Sequence, residues 1–429
     1  PSEGIVIGEN IFRGESRYVR IKDDDRRRHL YIIGQTGTGK SFLQLRMAIQ
    51  DIEAGKGVGV IDPHGDLIDN ILARIPEHRI QDVIVFNPGD IRRPLGINML
   101  EYEFDNPEQK TFIVNEMQSI FNRLFAQETM GPIFEQYMRN TLLLLMEDAR
   151  NEPATLMEVP RVLTDEAYRK RKLARIMNPT VIDFWEKEAA KATGEQGLAN
   201  MAPYITSKFN NFAANDYVRP IIGQTKSVFN FREAMDNNKI LLINLAKGKI
   251  GDINAGLLGM IVTGRLLMAA LSRVDVDQEK RRDFYLYIDE FQNFTTDSIS
   301  VILSEARKYR LNLILAHQFI AQLTDPIRDA VFGNVGSKAV FRVGVPDQET
   351  LIKSFAPEFT EKDLLSLDNQ NALLQILIDG QPARPFNIHT LRVEAGDETI
   401  REKLIELSRL TYGRELADVE REIIERLRS

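Results

Sequence analysis

The chain has no cysteine in its 429 residues and only one tryptophan. Disulfides and thiolate-bound metals are thereby excluded, and the five histidines (His29, His64, His78, His317 and His389) follow no metal-ligand spacing. No G-x-S-x-G elbow marks a serine hydrolase. The start lacks the basic, apolar, small-residue succession of a secretory signal. The longest apolar stretches, such as residues 256–271, are short for a bilayer and interrupted by Arg265, so no membrane-spanning helix is expected. A cytoplasmic address is the expectation, with any contact to the inner face of the membrane left to partners or to an N-terminal anchor preceding Pro1.

Excess positive charge is missing as well. The formal net charge is −7, which argues against a surface that coats nucleic acid uniformly but not against a local basic track. Clusters at Arg26–Arg28, Arg169–Lys172, Lys280–Arg282 and Arg307–Arg310 read first as solvated faces, because acidic residues flank most of them. No repeat of fixed period and no low-complexity segment appears. What is present is 43% hydrophobic content, enough for one large core or two to three domains.

Short apolar runs alternate with helical periodicity. Gly4–Ile7 and Arg17–Ile21 read as an N-terminal hairpin. The runs HLYIIG, GVGVID and DVIVF are separated by helix patterns, including Phe42, Leu45, Ile49 and Ile52 on one face. This alternation predicts an α/β fold with a mainly parallel sheet. Strand signals fade over residues 106–237, where an all-helical insertion is expected, and return at KILLINL, FYLYIDE, LNLILA and SKAVFRV. The expected division is 1–105 and 238–395 for the two parts of the α/β domain, 106–237 for the insertion and 396–429 for a helical tail.

Residues Gly34–Ser41, GQTGTGKS, match G-x-x-x-x-G-K-[ST] between a strand and a helix. Gly34, Gly37 and Gly39, with Thr36 and Thr38 between them, would turn backbone N–H groups around a phosphate, and the following helix adds its positive end. Lys40 would bridge the β- and γ-phosphates of ATP, and Ser41 would hold Mg²⁺. Hydrolysis also needs a second carboxylate near the metal and a base for the attacking water. FYLYIDE supplies Asp289 for the first and Glu290 for the second. At least three strand candidates separate Lys40 from Asp289, which points to a RecA-like core. Gln318, closing LNLILAHQ, stands where a γ-phosphate sensor would sit. Arg307 and Arg28 are candidate transition-state cations, able to act from a neighbouring subunit.

In order, HLYIIGQTGTGKS, VIDPHGD, FYLYIDEFQNF and EARKYRLNLILAHQ resemble the HerA/FtsK superfamily of hexameric motors, and most closely the coupling ATPases of conjugation and type IV secretion. The resemblance covers about residues 1–100 and 236–392. It implies a homo-hexameric ring that pumps DNA and hydrolyses ATP between subunits. It further implies that Arg307 is the arginine finger, that Arg28 is a second phosphate-contacting arginine, that Asp62 belongs to an acidic turn, and that the insertion corresponds to the all-α domain of coupling proteins. Secretion-system or DNA-processing proteins are the implied partners. The tail matches no motif of the family, and docking on a neighbouring subunit or a partner is open to it. Two other readings stand beside the motor: an ATP-switched docking platform for secretion substrates, and a motor acting with a nuclease in DNA processing.

Overall fold

Runs dense in Ile, Val and Leu form strands that are buried on both faces, the pattern of a parallel sheet covered by helices. The computed structural model describes residues 2–429, apart from the side chains of Ala306 and Arg307. The chain separates into two units, one built from residues 1–86, 231–245 and 269–408, the other from 87–230, 246–268 and 409–429.

The first unit holds every strand: β1 (Ile5–Phe12), β2 (Glu15–Ile21), β3 (Leu30–Ile33), β4 (Gly57–Asp62), β5 (Val83–Phe86), β6 (Ile240–Asn244), β7 (Phe284–Asp289), β8 (Leu311–His317), β9 (Ser337–Val340), β10 (Asn371–Gln375), β11 (Leu377–Ile378), β12 (Gln381–Pro382) and β13 (Phe386–His389). Eleven of them make one sheet in the order β2-β1-β13-β10-β9-β3-β8-β7-β4-β6-β5, while β11 and β12 pair separately. From β9 to β5 all neighbours are parallel. The N-terminal hairpin extends the other edge, with β1 antiparallel to β13. The architecture is therefore the mainly parallel α/β sheet with an N-terminal hairpin that the strand–helix alternation predicts.

Helix Lys40–Glu53 starts at the glycine-rich loop and covers the sheet with Leu43, Met47, Ala48 and Ile52. Leu45 and Ile49 are buried as their spacing predicts, but Phe42 is 48% exposed. It lies in the first turn, where the helix emerges from the loop and has not yet crossed the apolar face.

Among the described residues, the regular elements of the second unit are all helices. Helices Pro107–Leu124 and Leu198–Ala213 meet through Phe121 and Phe209, whose ring centroids are 4.8 Å apart. Part of the basic run at 169–172 is not a solvated face. Lys172 is fully buried and paired with the buried Asp148 at 2.9 Å, and Arg175 reaches the same carboxylate. Burying either charge alone would be costly, so the pair is retained together. The tail helix Leu416–Arg428 docks within this unit of its own chain, burying Val419 and Ile423. Arg426 donates to Gly223 O at 2.7 Å and pairs with Glu158, and Arg219 meets Glu420 at 2.9 Å. A Cβ on Gly223 would come within 2.5 Å of Ile423 Cδ1, so the helix packs against bare backbone.

The apolar run Asp252–Asp275 is long and apolar enough to cross a membrane by length and composition. However, 89% of its apolar window is buried inside the fold. Burial of that kind makes it a core helix rather than a lipid-facing one.

Candidate nucleotide site

Parallel register fixes which strand ends share an edge. Ile33 pairs with His317, Asp289 with Ala316, and Ile61 with Ile288. The chain therefore leaves β3, β8, β7 and β4 at the same edge, at Gly34, Gln318, Glu290 and Pro63 respectively. Loops beyond the carboxyl ends of parallel strands are the usual place for ligands in such sheets.

At β3 the loop turns sharply, with Gly37 at φ +78° and Gly39 at φ +124°. A Cβ on Gly34 would lie 2.6 Å from the Cβ of Phe341, the residue that follows β9, so the close approach admits only glycine there. The loop is tied on several sides. Gly34 N donates to His317 O at 3.4 Å, Gln35 N to Arg342 O at 2.9 Å, and Gln370 N to Thr38 O at 2.7 Å. The Thr38 hydroxyl donates to Gln35 O at 2.7 Å. Thr36, Gly37 and Ser41 are exposed at the mouth, while Thr38 and Gly39 are buried.

Lys40 is buried and donates to Gly34 O at 2.6 Å and Gln35 O at 3.0 Å. Burial lowers its pKa, and Asp289 and Glu290 work in the opposite sense. Burial raises the pKa of Asp289 to about 6, with Asp62 and Glu290 adding like-charge repulsion and Lys40 partly offsetting it. Asp62 is occupied by its own turn. It accepts from His64 N at 3.0 Å, Leu67 N at 2.9 Å and Ile68 N at 3.3 Å, satisfying the start of helix Asp66–Leu72. Glu290 follows β7 in the left-handed region, at φ +49°, a strained setting for a residue with a side chain.

Gln318 follows β8, between the β3 and β7 ends, and its N–H donates to Gln322 Oε1 at 3.3 Å. The sheet therefore gathers Gly34, Thr36, Gly37, Thr38, Gly39, Lys40, Ser41, Asp289, Glu290 and Gln318 at one edge. It does not bring Arg28 there. Arg28 precedes β3, and its carbonyl accepts from Gly336 N at 2.7 Å, at the far end of that strand. The backbone of Arg307 lies in the short helix Ala306–Tyr309 that precedes β8, again at the far end. Its side chain lies outside the described residues.

Two residues that sequence reading did not select also stand at this edge. His64 Nε2 is 3.4 Å from Glu290 Oε1. Arg342 donates to Leu367 O at 3.0 Å and Asn369 Oδ1 at 3.1 Å, tying the segment before β10 to the strand that flanks the loop. The signal for His64 lies in the VIDPHGD motif, two residues after Asp62.

A phosphate-loop strand separated by one intervening strand from a strand ending in Asp-Glu, within a largely parallel sheet, defines a RecA-like P-loop fold. The family of type IV secretion-system coupling protein DNA-binding domains matches residues 18–355, and the chain belongs to that family. No curated protein sequence matches the chain significantly. Among solved structures it is similar to the plasmid coupling protein TrwB in complex with ADP and Mg²⁺, at 17% identity and a TM-score of 0.64, over 88% of each chain. TrwB in complex with a non-hydrolysable GTP analogue aligns with a TM-score of 0.60 at 17% identity, over 89% of each chain. VirB4 of Thermoanaerobacter pseudethanolicus aligns with a TM-score of 0.60 at 15% identity, over 93% of this chain and 98% of that one.

Proposed function

We propose that this chain is the ATP-hydrolysing motor of a conjugation or type IV secretion-like system, driving DNA through a homo-hexameric ring. The observation that carries this reading is the common edge, in a coupling-protein fold, of the glycine-rich loop, Asp289–Glu290 and Gln318. In this reading the loop amides and Lys40 hold the polyphosphate of ATP, and Gln318 contacts its γ-phosphate. Ser41 and Asp289 hold Mg²⁺, which when bound neutralises phosphate charge.

The residues present fit both groups. Lys40 already satisfies itself on two loop carbonyls, a position from which a short movement presents its ammonium to phosphate oxygens. Asp289, Asp62 and Glu290 concentrate negative charge that raises the pKa of Asp289, and a divalent cation relieves that repulsion. Among the described residues no group of three or more His, Asp or Glu side chains could hold a metal ion alone. Mg²⁺ at nucleotide sites is commonly bound by one or two side chains together with phosphates and water.

Glu290 orients the attacking water. Arg28 lies the length of β3 from the loop, about 13 Å for four residues at ~3.3 Å each, and the backbone of Arg307 lies beyond the far end of the seven-residue β8, about 23 Å long by the same rise, so both act on the nucleotide of a neighbouring copy. DNA is the cargo in this reading, by family membership.

The test is ATP hydrolysis by the purified chain with and without single- and double-stranded DNA. Stimulation by DNA, lost in Lys40→Ala, is expected. A rate that no form of DNA alters would remove the DNA-motor reading and leave the docking platform.

A further inference from the structure

We propose that His64 is a positioning residue that restrains Glu290, holding down hydrolysis until the motor engages its cargo. This rests on the reading of Glu290 as the group that orients the attacking water.

The argument begins with the turn that carries His64. Asp62 binds three backbone N–H groups of residues 64, 67 and 68, so the turn is held by its own carboxylate. Gly65, at φ +97°, sits where a Cβ would lie 2.4 Å from Asn244 Nδ2, which pins the turn against the end of β6. His64 thus projects from a rigid support. Its side chain is 54% exposed, whereas that of Glu290 is 19% exposed. No core packing requires an imidazole there, and its polar contact is with Glu290.

The restraint is visible at both carboxylate oxygens of Glu290. Oε1 faces His64 Nε2 at 3.4 Å, and Oε2 faces Asn293 Nδ2 at 3.4 Å. The Asn293 contact is a hydrogen bond at the long end of the range and the His64 contact a close approach at ion-pair distance, both of a kind that is made and released readily. A carboxylate that accepts from protein donors is a weaker acceptor for the proton of a water, and its orientation is set by those donors. The backbone adds to this, since Glu290 is held in the left-handed region and cannot move by small adjustments of φ and ψ. Freeing the carboxylate therefore means breaking the side-chain contacts. Both contacts are exposed; the His64 contact comes from the separate turn after β4, so a macromolecule that draws on that turn breaks it without moving β7.

The experiment measures steady-state ATP hydrolysis of the full chain, with and without DNA, for wild type, His64→Ala, His64→Gln, Asn293→Ala and Lys40→Ala. His64→Ala is expected to raise kcat without DNA by about twofold to fivefold, the scale of one exposed polar pair, with KM for ATP unchanged. The ratio of DNA-stimulated to basal rate falls correspondingly. His64→Gln, which keeps a side-chain N–H donor, should stay near the wild-type basal rate, and Asn293→Ala should shift it in the same direction as His64→Ala. A His64→Ala protein with an unchanged or lower basal kcat overturns the restraint, as does a rise that His64→Gln shares in full. Failure of the underlying motor reading looks different: wild type itself shows no DNA stimulation, or Lys40→Ala retains the wild-type rate.

Discussion

Tyr31 Oη lies 2.5 Å from His317 Nε2, and His317 is in register with Ile33, the last strand residue before the glycine-rich loop. Burial, with Lys40 adding like-charge repulsion, lowers the His317 pKa to about 3, so the ring is neutral throughout the physiological range. The pair satisfies two polar groups inside an otherwise apolar layer that includes Phe291, whose ring centroid is 4.9 Å from that of His317. The Tyr31→Phe variant removes one partner and leaves a buried nitrogen without it. Its urea midpoint should fall by an amount equivalent to about 1–3 kcal/mol at constant m; an unchanged midpoint would show that the bond contributes nothing net.

Asp289 offers a trade between stability and activity. Its folded pKa, about 6, lies above the ordinary 3.8. The sign follows from linkage: a raised carboxyl pKa favours folding below about pH 4, and that contribution is lost as pH rises towards 6. Above pH 6 the charged group opposes folding. Asp289→Asn should therefore stabilise the nucleotide-free protein at pH 7.5, by about 1–3 kcal/mol, while abolishing hydrolysis. Denaturation curves at pH 4 and 7.5 test this, since the gain should be confined to the higher pH.

Much of this site was legible because phosphate binding demands backbone freedom at fixed offsets, and the glycines of GQTGTGKS advertise it. FYLYIDE was legible for a related reason: a strand buried on both faces that ends in two acids is uncommon without a use for the acids. What remained hidden depends on partners distant in sequence. The placement of β8 between β3 and β7, and of β6 between β4 and β5, follows from packing that no local pattern encodes. Lys172 reads as one more surface cation until Asp148, 24 residues away, is seen beside it. The tail was unassigned because the groove it fills, around Gly223, is formed by a segment some 200 residues earlier. His64 and Glu290 face each other only once β4 and β7 are paired.

Arg307 and Lys40 should complement each other in mixtures. Arg307→Ala is expected to bind ATP with wild-type affinity and hydrolyse it at least ~10³-fold more slowly. Mixed with Lys40→Ala, it should recover measurable hydrolysis, because an interface between the two variants can hold an intact lysine from one and an intact arginine from the other. Equal inactivity of the mixture and of its components would show that Arg307 does not act across an interface between copies.

The tail provides a check on the helical unit. Glu158 is 1% exposed and is paired with Arg426. Arg426→Ala leaves that carboxylate buried without its cation, at a cost of about 3–5 kcal/mol. Limited proteolysis should then cut near Gly413 at a rate well above wild type, and if the cleavage pattern does not change, the ion pair does not anchor the tail.

Arg28 and Gly34 stand at opposite ends of one four-residue strand, β3. With the arginines acting across an interface, as proposed, each copy is directional: it offers phosphate-binding groups at one end of its strands and arginines at the other. Joints of that kind are head to tail, and they close into a ring or run on as an open filament. An open run of copies always has one fewer complete site than it has members, and a solitary copy has none. Specific activity should then climb with protein concentration and level off only when the circle closes, so that dilution alone acts as an off switch.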